Sequence, residues 1–124
     1  LRVLRTNELT INAWAITIRS NGFLSSHIHE RGWMSGTIYL QVPGKACGNE
    51  GDIVFSTRGE DYPGAVNEHQ EKVVEVKAGM INLFPASLFH RTQPFAASDC
   101  DRVCIAFDVF PIHLNGQTYV GTEY

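Results

Sequence analysis

Residues 27–40, with the sequence HIHERGWMSGTIYL, contain two patterns that are typical of β-structure. His27 and His29 are separated by a single residue, and in a strand such residues project from the same face, about 6.5 to 7 Å apart. Both imidazoles can then reach one atom, whereas in a helix they would diverge. From Met34 to Val42, aliphatic and polar residues alternate, as they do in a half-buried strand. The stretch therefore predicts a strand region that begins with a paired-histidine motif.

The predicted strand 34–42 has one aliphatic side and one polar, uncharged side. The polar side suits the wall of a wet cavity and consists of Ser35, Thr37, Tyr39 and Gln41. A second predicted strand, residues 102–109, also has two unlike sides. The side expected to enter a core consists of Val103, Ile105, Phe107 and Val109. The side expected to line a different surface consists of Arg102, Cys104, Ala106 and Asp108.

Other β-branched or alternating segments predict strands at residues 12–19, 52–56, 72–76 and 80–84. Ala78-Gly79 predicts a tight turn, so the last two segments are expected to form a hairpin. We find no segment with the period of an amphipathic helix. Short strands joined by turns indicate an all-β antiparallel sandwich or barrel, and the jelly roll is the member of this class that most often encloses a site.

The bulk properties of the chain set the remaining expectations about its organisation. A length of 124 residues suits one domain, so we expect residues 1–124 to form a single jelly roll. The sequence does not begin with Met, which suggests a piece of a longer chain. The polar stretch 57–70 contains Gly59, Pro63 and Gly64, and it predicts a long loop that acts as a lid or, with Trp33, as a substrate wall.

Charge and cysteine content narrow the classes of partner. The formal charge is −3 and basic residues form no cluster, so neither nucleic acid nor an acidic membrane surface is expected as a partner. No apolar run reaches the roughly 18 residues of a membrane span. The three cysteines form no CxxC pair, and an odd count is typical of a reduced, cytoplasmic setting.

His90 is a candidate third ligand for a metal held by His27 and His29. It follows the predicted strand 80–84 by six residues, where the edge of a sheet would give way to the next strand. Three protein ligands with open positions are what catalytic metals require. The alternative is that these are ordinary surface or hydrogen-bonded histidines, which is the commoner situation for a single histidine and the one we assign to His69 and His113.

An ordered set of motifs extends this pattern along most of the chain. After His27-x-His29 come Ser35-Gly36-x-x-Tyr39-Leu40, Gly79 followed by Phe84-Pro85, then His90, and finally Arg102-x-x-Ile105-x-Phe107. In this order and spacing the sequence resembles a group of Fe(II)- and 2-oxoglutarate-dependent oxygenases, over about residues 12–110. The resemblance implies a double-stranded β-helix, the jelly roll of the cupin type.

The resemblance also implies the ligands of the metal. His27 would be the proximal and His90 the distal histidine, while His29 stands where most of the superfamily has Asp or Glu. Fe(II) is the implied metal, and Zn(II) or Ni(II) remain alternatives because an imidazole brings no negative charge. Glu30 is expected to face solvent, since a regular strand directs it away from the two histidines. The alternative is that a bulge or a turn starting at Arg31-Gly32 brings it to the metal as a carboxylate ligand.

Two further residues are implied as contacts of the cosubstrate. Arg102 would bind the distal carboxylate of 2-oxoglutarate through its planar fork, and Tyr39 would add a hydroxyl contact. The alternative for Arg102 is a surface residue paired with Asp99 or Asp101. The alternative for Tyr39 is a tyrosine on a sheet surface.

The implied activity is hydroxylation of a substrate with 2-oxoglutarate and O2 as the small-molecule reactants. Two other functions fit parts of the pattern: a cupin-like three-histidine metal enzyme that does not use 2-oxoglutarate, and a non-catalytic jelly-roll module that binds a ligand. Neither the primary substrate nor the oligomeric state is specified by the sequence.

Overall fold

The computed structural model describes residues 9–59, 69–96 and 100–111, and the backbone of two short strands beyond them. Within these residues the secondary structure consists of β-strands, with no helix. The strands are β1 (Leu9–Ile18), β2 (Met34–Gln41), β3 (Ile53–Ser56), β4 (Glu71–Val74), β5 (Ile81–Pro85), β6 (Phe89–Thr92), β7 (Arg102–Pro111), β8 (His113–Leu114) and β9 (Gln117–Thr118). The described part of the chain accordingly contains no helix that is long and apolar enough to span a membrane.

The strands form two main sheets. One has the order β1-β7-β2-β5 and the other the order β4-β3-β6, and the strand pairs in both are antiparallel. Strands β8 and β9 form a separate antiparallel pair. The two main sheets face each other across a cavity, to which both contribute side chains. This architecture confirms the predicted all-β class and the double-stranded β-helix.

The segment that precedes β2 lies along the free edge of β6. Asn21 N–H donates to the Phe95 carbonyl at 2.8 Å, and Thr92 N–H donates to the Leu24 carbonyl at 3.1 Å. Farther along, His29 N–H donates to the Ala86 carbonyl at 2.9 Å. These bonds fix the backbone of the segment and carry the His-x-His motif to the edge of the smaller sheet. The prediction that the motif begins a strand is wrong, because β2 begins at Met34 and His27 forms only an isolated bridge with His90.

The hairpin expected from residues 72–76 and 80–84 is wrong. β4 pairs with β3 in the smaller sheet, whereas β5 pairs with β2 in the larger one. Gly79 has a φ of 83° and its N–H donates to the Tyr39 carbonyl at 2.8 Å. The turn therefore leads from β4 in the smaller sheet to β5 in the larger one, and the two strands do not pair with each other.

The assignment of β7 to a core face and a second surface is also wrong. Arg102, Cys104, Ala106 and Asp108 are the buried side, and Val103, Ile105, Phe107 and Val109 are half-buried on the outer side. The same holds across the larger sheet, whose outer side carries exposed aliphatic residues: Leu9, Ile11, Ile38, Leu40, Ile81 and Leu83. The interior of this fold is polar along β2 and β7 because the cavity lies there, so hydrophobicity did not identify the inward face.

Several sequence predictions fall wholly or partly outside the described residues. Residues 60–68 of the predicted lid are among them, as is Asp99. Trp33 is described and is exposed, but its role as a substrate wall stays a prediction.

Candidate metal centre

The fold brings His27, His29 and His90 together. His27 and His90 form an antiparallel bridge, and one ligand atom from each of the three residues lies within 4.8 Å of the others. Metal–imidazole bonds of about 2.0–2.1 Å allow two ligands of one ion to be at most about 4.2 Å apart. Three ligands cannot all lie opposite one another, and at tetrahedral angles their nitrogens would be about 3.4 Å apart, so the imidazole nitrogens must approach each other by up to about 1.4 Å to share one ion.

The Nδ1 atom of each of the three imidazoles has a hydrogen-bond acceptor beside it. His27 Nδ1 donates to the Ser25 carbonyl at 2.7 Å, and His90 Nδ1 donates to the Leu88 carbonyl at 3.0 Å. His29 Nδ1 lies 2.7 Å from both carboxylate oxygens of Asp108. Since a carbonyl or a carboxylate accepts the proton, Nδ1 carries a proton in each ring and Nε2 is the nitrogen available to face a metal.

Aromatic packing holds the imidazoles in place. The ring of His27 lies 5.3 Å from that of His29 and 4.3 Å from that of His90, between centroids. The Phe84 ring packs against His90 at 4.7 Å, and Trp14 stacks on His29 at 5.7 Å. Burial lowers the pKa of His90 to about 4, so this imidazole is neutral and able to coordinate at physiological pH.

The remaining candidates for ligands lie elsewhere. Glu30 is exposed, as expected, and is not part of the three-histidine cluster. His69 is exposed and lies 3.4 Å from Glu71. Imidazole is a good ligand for iron, zinc, nickel and copper, so the donor set alone accommodates each of the metals considered.

Arg102 lies on the wall of the same cavity and is 2% exposed. Its Nε donates to the Gly51 carbonyl at 3.2 Å, and its Nη1 lies 3.7 Å from the sulfur of Cys104. Among the described residues, no carboxylate is within ion-pair distance of this guanidinium. The alternative of a surface arginine paired with Asp101 is therefore wrong.

Tyr39 is fully buried and contacts Arg102. The guanidinium carbon lies 5.0 Å from the centre of the phenol ring, and Asn82 Nδ2 donates to the Tyr39 hydroxyl at 3.3 Å. Burial raises the pKa of the phenol and that of the Cys104 thiol, although Arg102 opposes both shifts. Both groups stay neutral at physiological pH, so neither balances the charge of Arg102.

The cavity between the sheets has a volume of about 160 Å³. Its lining includes His27, His29, His90, Arg102 and Tyr39, which are the five residues predicted as the site. An apolar cavity of about 150 Å³ is known to hold a benzene-sized molecule. The space is thus of the right order for a small organic acid beside a metal ion.

Comparison with known proteins places the chain in a family. Residues 12–108 match the model of the family described as "Putative 2OG-Fe(II) oxygenase". The chain belongs to this family. The matched region includes both histidines of the His-x-His motif, His90, Arg102 and Tyr39. No curated protein matches the sequence.

Solved structures show the same fold for this family member at low sequence identity. An oxidoreductase of the 2OG-Fe(II) oxygenase family from Burkholderia pseudomallei superposes with a TM-score of 0.63 and 16% identity, covering 94% of this chain and 52% of that one. A prolyl-4-hydroxylase from Pseudomonas putida superposes with a TM-score of 0.53 and 15% identity, covering 83% and 51%. The chain spans about half the length of these two proteins.

The Ser35-Gly36 pair of this family member has a structural explanation. Ser35 Oγ donates to Asp108 Oδ1 at 2.5 Å, across the β2–β7 register in which the two residues are opposite each other. A Cβ on Gly36 would lie 2.3 Å from the ring of Phe107, so a larger residue would displace that ring.

Gln41, expected on the cavity side, is exposed because a bulge follows Tyr39.

Sequence reasoning missed the part that Asp108 plays in the site of this family member. The signal was present, because Asp108 shares a strand side with Arg102 and an acid on the inner face of a strand needs a partner. The sequence did not show that His29 is the partner of Asp108. The two residues come together only through the β2–β7 pairing and the turn before β2.

Proposed function

We propose that this chain is an Fe(II)- and 2-oxoglutarate-dependent dioxygenase that hydroxylates a substrate. His27, His29 and His90 would hold the metal, and Arg102 with Tyr39 would hold the distal carboxylate of 2-oxoglutarate. The observation that carries this proposal is the placement of a buried guanidinium, without an acid partner among the described residues, in the same cavity as three converging imidazoles.

The charge of Arg102 supports an anionic ligand. Taking a guanidinium out of water costs several kcal/mol unless an opposite charge or good hydrogen bonds replace the lost hydration. Its described hydrogen-bond acceptors are a carbonyl and a thiol, both neutral, and its other described contact is the uncharged ring of Tyr39. A carboxylate that enters the cavity would supply the missing charge, and the planar fork of arginine can bind it through two charge-assisted hydrogen bonds.

The metal and the keto acid together supply the activation of O2 and the oxidation of a C–H bond. The protein residues bind and orient. The three Nδ1–H donors fix the orientation of the imidazole rings. Arg102 and Tyr39, which are in contact on the cavity wall, would anchor the acid. The buried rings of Phe84 and Tyr39 line the cavity, which limits its access to water.

The proposal is tested by anaerobic titration of the protein with Fe(II) and then with 2-oxoglutarate. Chelation of the metal by the keto acid should produce a metal-to-ligand charge-transfer band in the visible range. A saturable band with one equivalent of each component is expected, together with release of succinate when O2 is admitted. A protein that binds the metal but gives neither band nor succinate would overturn the proposal.

Arg102 variants sharpen this test. Arg102→Ala should raise the dissociation constant of 2-oxoglutarate by about 100-fold, since a charge-assisted pair in a buried site is worth about 3 kcal/mol. Arg102→Lys keeps the charge but loses the fork, so a smaller loss is expected. Arg19→Ala, which removes an exposed arginine after β1, is the matched control and should bind normally. Fe(II) binding by each variant verifies that the fold survives.

The same titrations separate the two alternative functions. A cupin-like three-histidine enzyme would bind the metal with wild-type affinity in the Arg102→Ala variant and would not respond to 2-oxoglutarate. A non-catalytic module would take up no transition metal even after reconstitution.

A further inference from the structure

Asp108 is a fully buried carboxylate next to the three-histidine cluster. Both of its oxygens lie 2.7 Å from His29 Nδ1, and Oδ1 also accepts a hydrogen bond from Ser35 Oγ at 2.5 Å. Within the described residues, no lysine or arginine forms an ion pair with it. The basic group in contact with this acid is therefore an imidazole that is itself a candidate metal ligand.

Asp52 shows how the same fold treats another buried acid. Its carboxylate lies 2.7 Å from Lys45 Nζ and accepts a hydrogen bond from Val76 N–H at 3.1 Å. A full positive charge thus compensates the burial of Asp52 directly. Asp108 has no lysine or arginine of the described segments at contact distance, and a metal ion bound on the far side of the His29 ring would provide a positive charge.

His29 also differs from the other two histidines. His27 and His90 each donate Nδ1–H to the carbonyl of the residue two positions earlier, a neutral and local acceptor. His29 instead donates to a charged acceptor from a distant strand. A carboxylate acceptor makes an imidazole a stronger donor to a metal than a carbonyl does, and it fixes the ring orientation.

We propose that Asp108 is a positioning residue of the metal centre: it holds His29 with Nε2 directed at the shared coordination point and supplies, through the imidazole, the negative charge that three neutral ligands lack. Ser35 fixes the carboxylate from the opposite strand. This inference rests on the metal site of the proposed function and extends it to a residue outside the ligand set.

The first test measures the affinity for Co(II), a spectroscopic probe of imidazole sites, by chelator competition. Loss of an outer partner of a ligating histidine costs about 10- to 100-fold in metal affinity. Asp108→Asn, which keeps an acceptor oxygen but removes the charge, should lose about 10-fold, and Asp108→Leu should lose about 100-fold. Asp52→Asn, which removes a second buried carboxylate, should stay within about 2-fold of wild type.

A change of background separates positioning from folding. In a His29→Asp variant the new carboxylate ligates directly and Asp108 has no imidazole to orient, so adding Asp108→Asn should change the Co(II) affinity by less than about 3-fold. Equal losses from Asp108→Asn in the wild-type and His29→Asp backgrounds would mean that Asp108 acts only on the fold and would overturn the inference.

The second test needs no metal. Long-range ¹H–¹⁵N correlation spectra of the metal-free protein report which nitrogen of His29 is protonated. A proton on His29 Nδ1 is expected in the wild type, and a substantial population without this proton is expected in Asp108→Leu, while Nδ1 of His27 and of His90 stays protonated. An unchanged His29 signal in Asp108→Leu would overturn the inference even if the variant proved less stable.

These readouts distinguish the inference from the proposed function. If the Asp108 effects appear but 2-oxoglutarate gives no charge-transfer band, the metal centre stands and the oxygenase proposal fails. If the band appears but the Asp108 variants match wild type in affinity and tautomer, the oxygenase proposal stands and the positioning role fails.

Discussion

His27 and His90 are joined through their backbones: each N–H donates to the carbonyl of the other residue, at 3.1 and 3.0 Å. As a consequence of this bridge, the centroids of their imidazole rings lie 4.3 Å apart. Because the main chain holds the two positions together, the imidazoles can be removed without removing the link between the two segments. The bridge therefore separates metal binding from folding at this point of the molecule.

We predict that His90→Ala abolishes stoichiometric binding of a transition metal while the protein remains folded. Two imidazoles would remain, and the loss of one ligand of three should lower the affinity by at least about 100-fold. Metal content after reconstitution and gel filtration, together with the far-UV circular dichroism spectrum, measures both parts. His69→Ala, at an exposed histidine outside the cluster, is the control. A full complement of metal in His90→Ala would contradict the assignment.

Tyr39→Phe should weaken 2-oxoglutarate binding without changing metal affinity. The substitution removes the hydroxyl that accepts a hydrogen bond from Asn82 and leaves the ring, which packs against Arg102, nearly intact. Loss of one hydrogen bond to a carboxylate is worth about 1.5 kcal/mol or more, which is roughly 10-fold or more in the dissociation constant. Titration of the Fe(II) form measures this change, and wild-type affinity for the keto acid would remove Tyr39 from the proposed site.

The stability of the metal-free protein should fall between pH 7 and pH 5. Burial lowers the pKa of His90 to about 4 from its ordinary 6.5. Between pH 7 and pH 5 this imidazole therefore takes up a proton in the unfolded chain but stays neutral in the folded protein. The contribution of neutral His90 to the free energy of unfolding is complete above pH 6.5 and is lost as the pH falls towards 4. It amounts to about 2 kcal/mol between pH 7 and pH 5.

Urea unfolding of wild type and His90→Gln at both pH values tests this expectation. The variant has no imidazole at this position. Between pH 7 and pH 5 its free energy of unfolding should therefore fall by about 2 kcal/mol less than that of the wild type. An identical pH dependence in the two proteins would show that His90 is not the group responsible.

Adjacent residues of β5 should differ sharply in their contribution to stability. Phe84 is 5% exposed and packs on Phe55 and His90, so Phe84→Ala should cost about 3–5 kcal/mol. Leu83 is 61% exposed on the outer face, so Leu83→Ala should change the free energy of unfolding by no more than about 0.5 kcal/mol. Chemical denaturation measures both, and a large loss for Leu83→Ala would indicate that another segment covers this face.

The strands were largely determined by local sequence. Period-two alternation and β-branched residues predicted β1, β2, β3, β4, β5 and β7 with ends that lie within three residues of those observed. These signals are local because the direction of each side chain follows from the strand backbone itself. The His-x-His motif is an exception, because it lies before β2 and its position depends on backbone hydrogen bonds to His90 and Ala86.

The connections and the faces were decided by tertiary structure. The turn at Gly79 leads to the larger sheet, where the N–H of Gly79 donates to the carbonyl of Tyr39. No local sequence pattern encodes this contact between distant residues. Hydrophobicity assigned the inner face of β7 incorrectly, because the fold encloses a polar cavity and leaves aliphatic side chains on the outside of the larger sheet.

Sequence alone thus determined an all-β chain, a pair of histidines on one face and, through resemblance, the candidates for a third ligand and an acid-binding arginine. Only the tertiary structure brought His90 to the pair, buried Arg102 away from every acid of the described segments, and placed Asp108 against His29. The physical reason is that strand geometry is a local property, whereas contacts between distant residues depend on how the strands pair and how the two sheets close over the cavity.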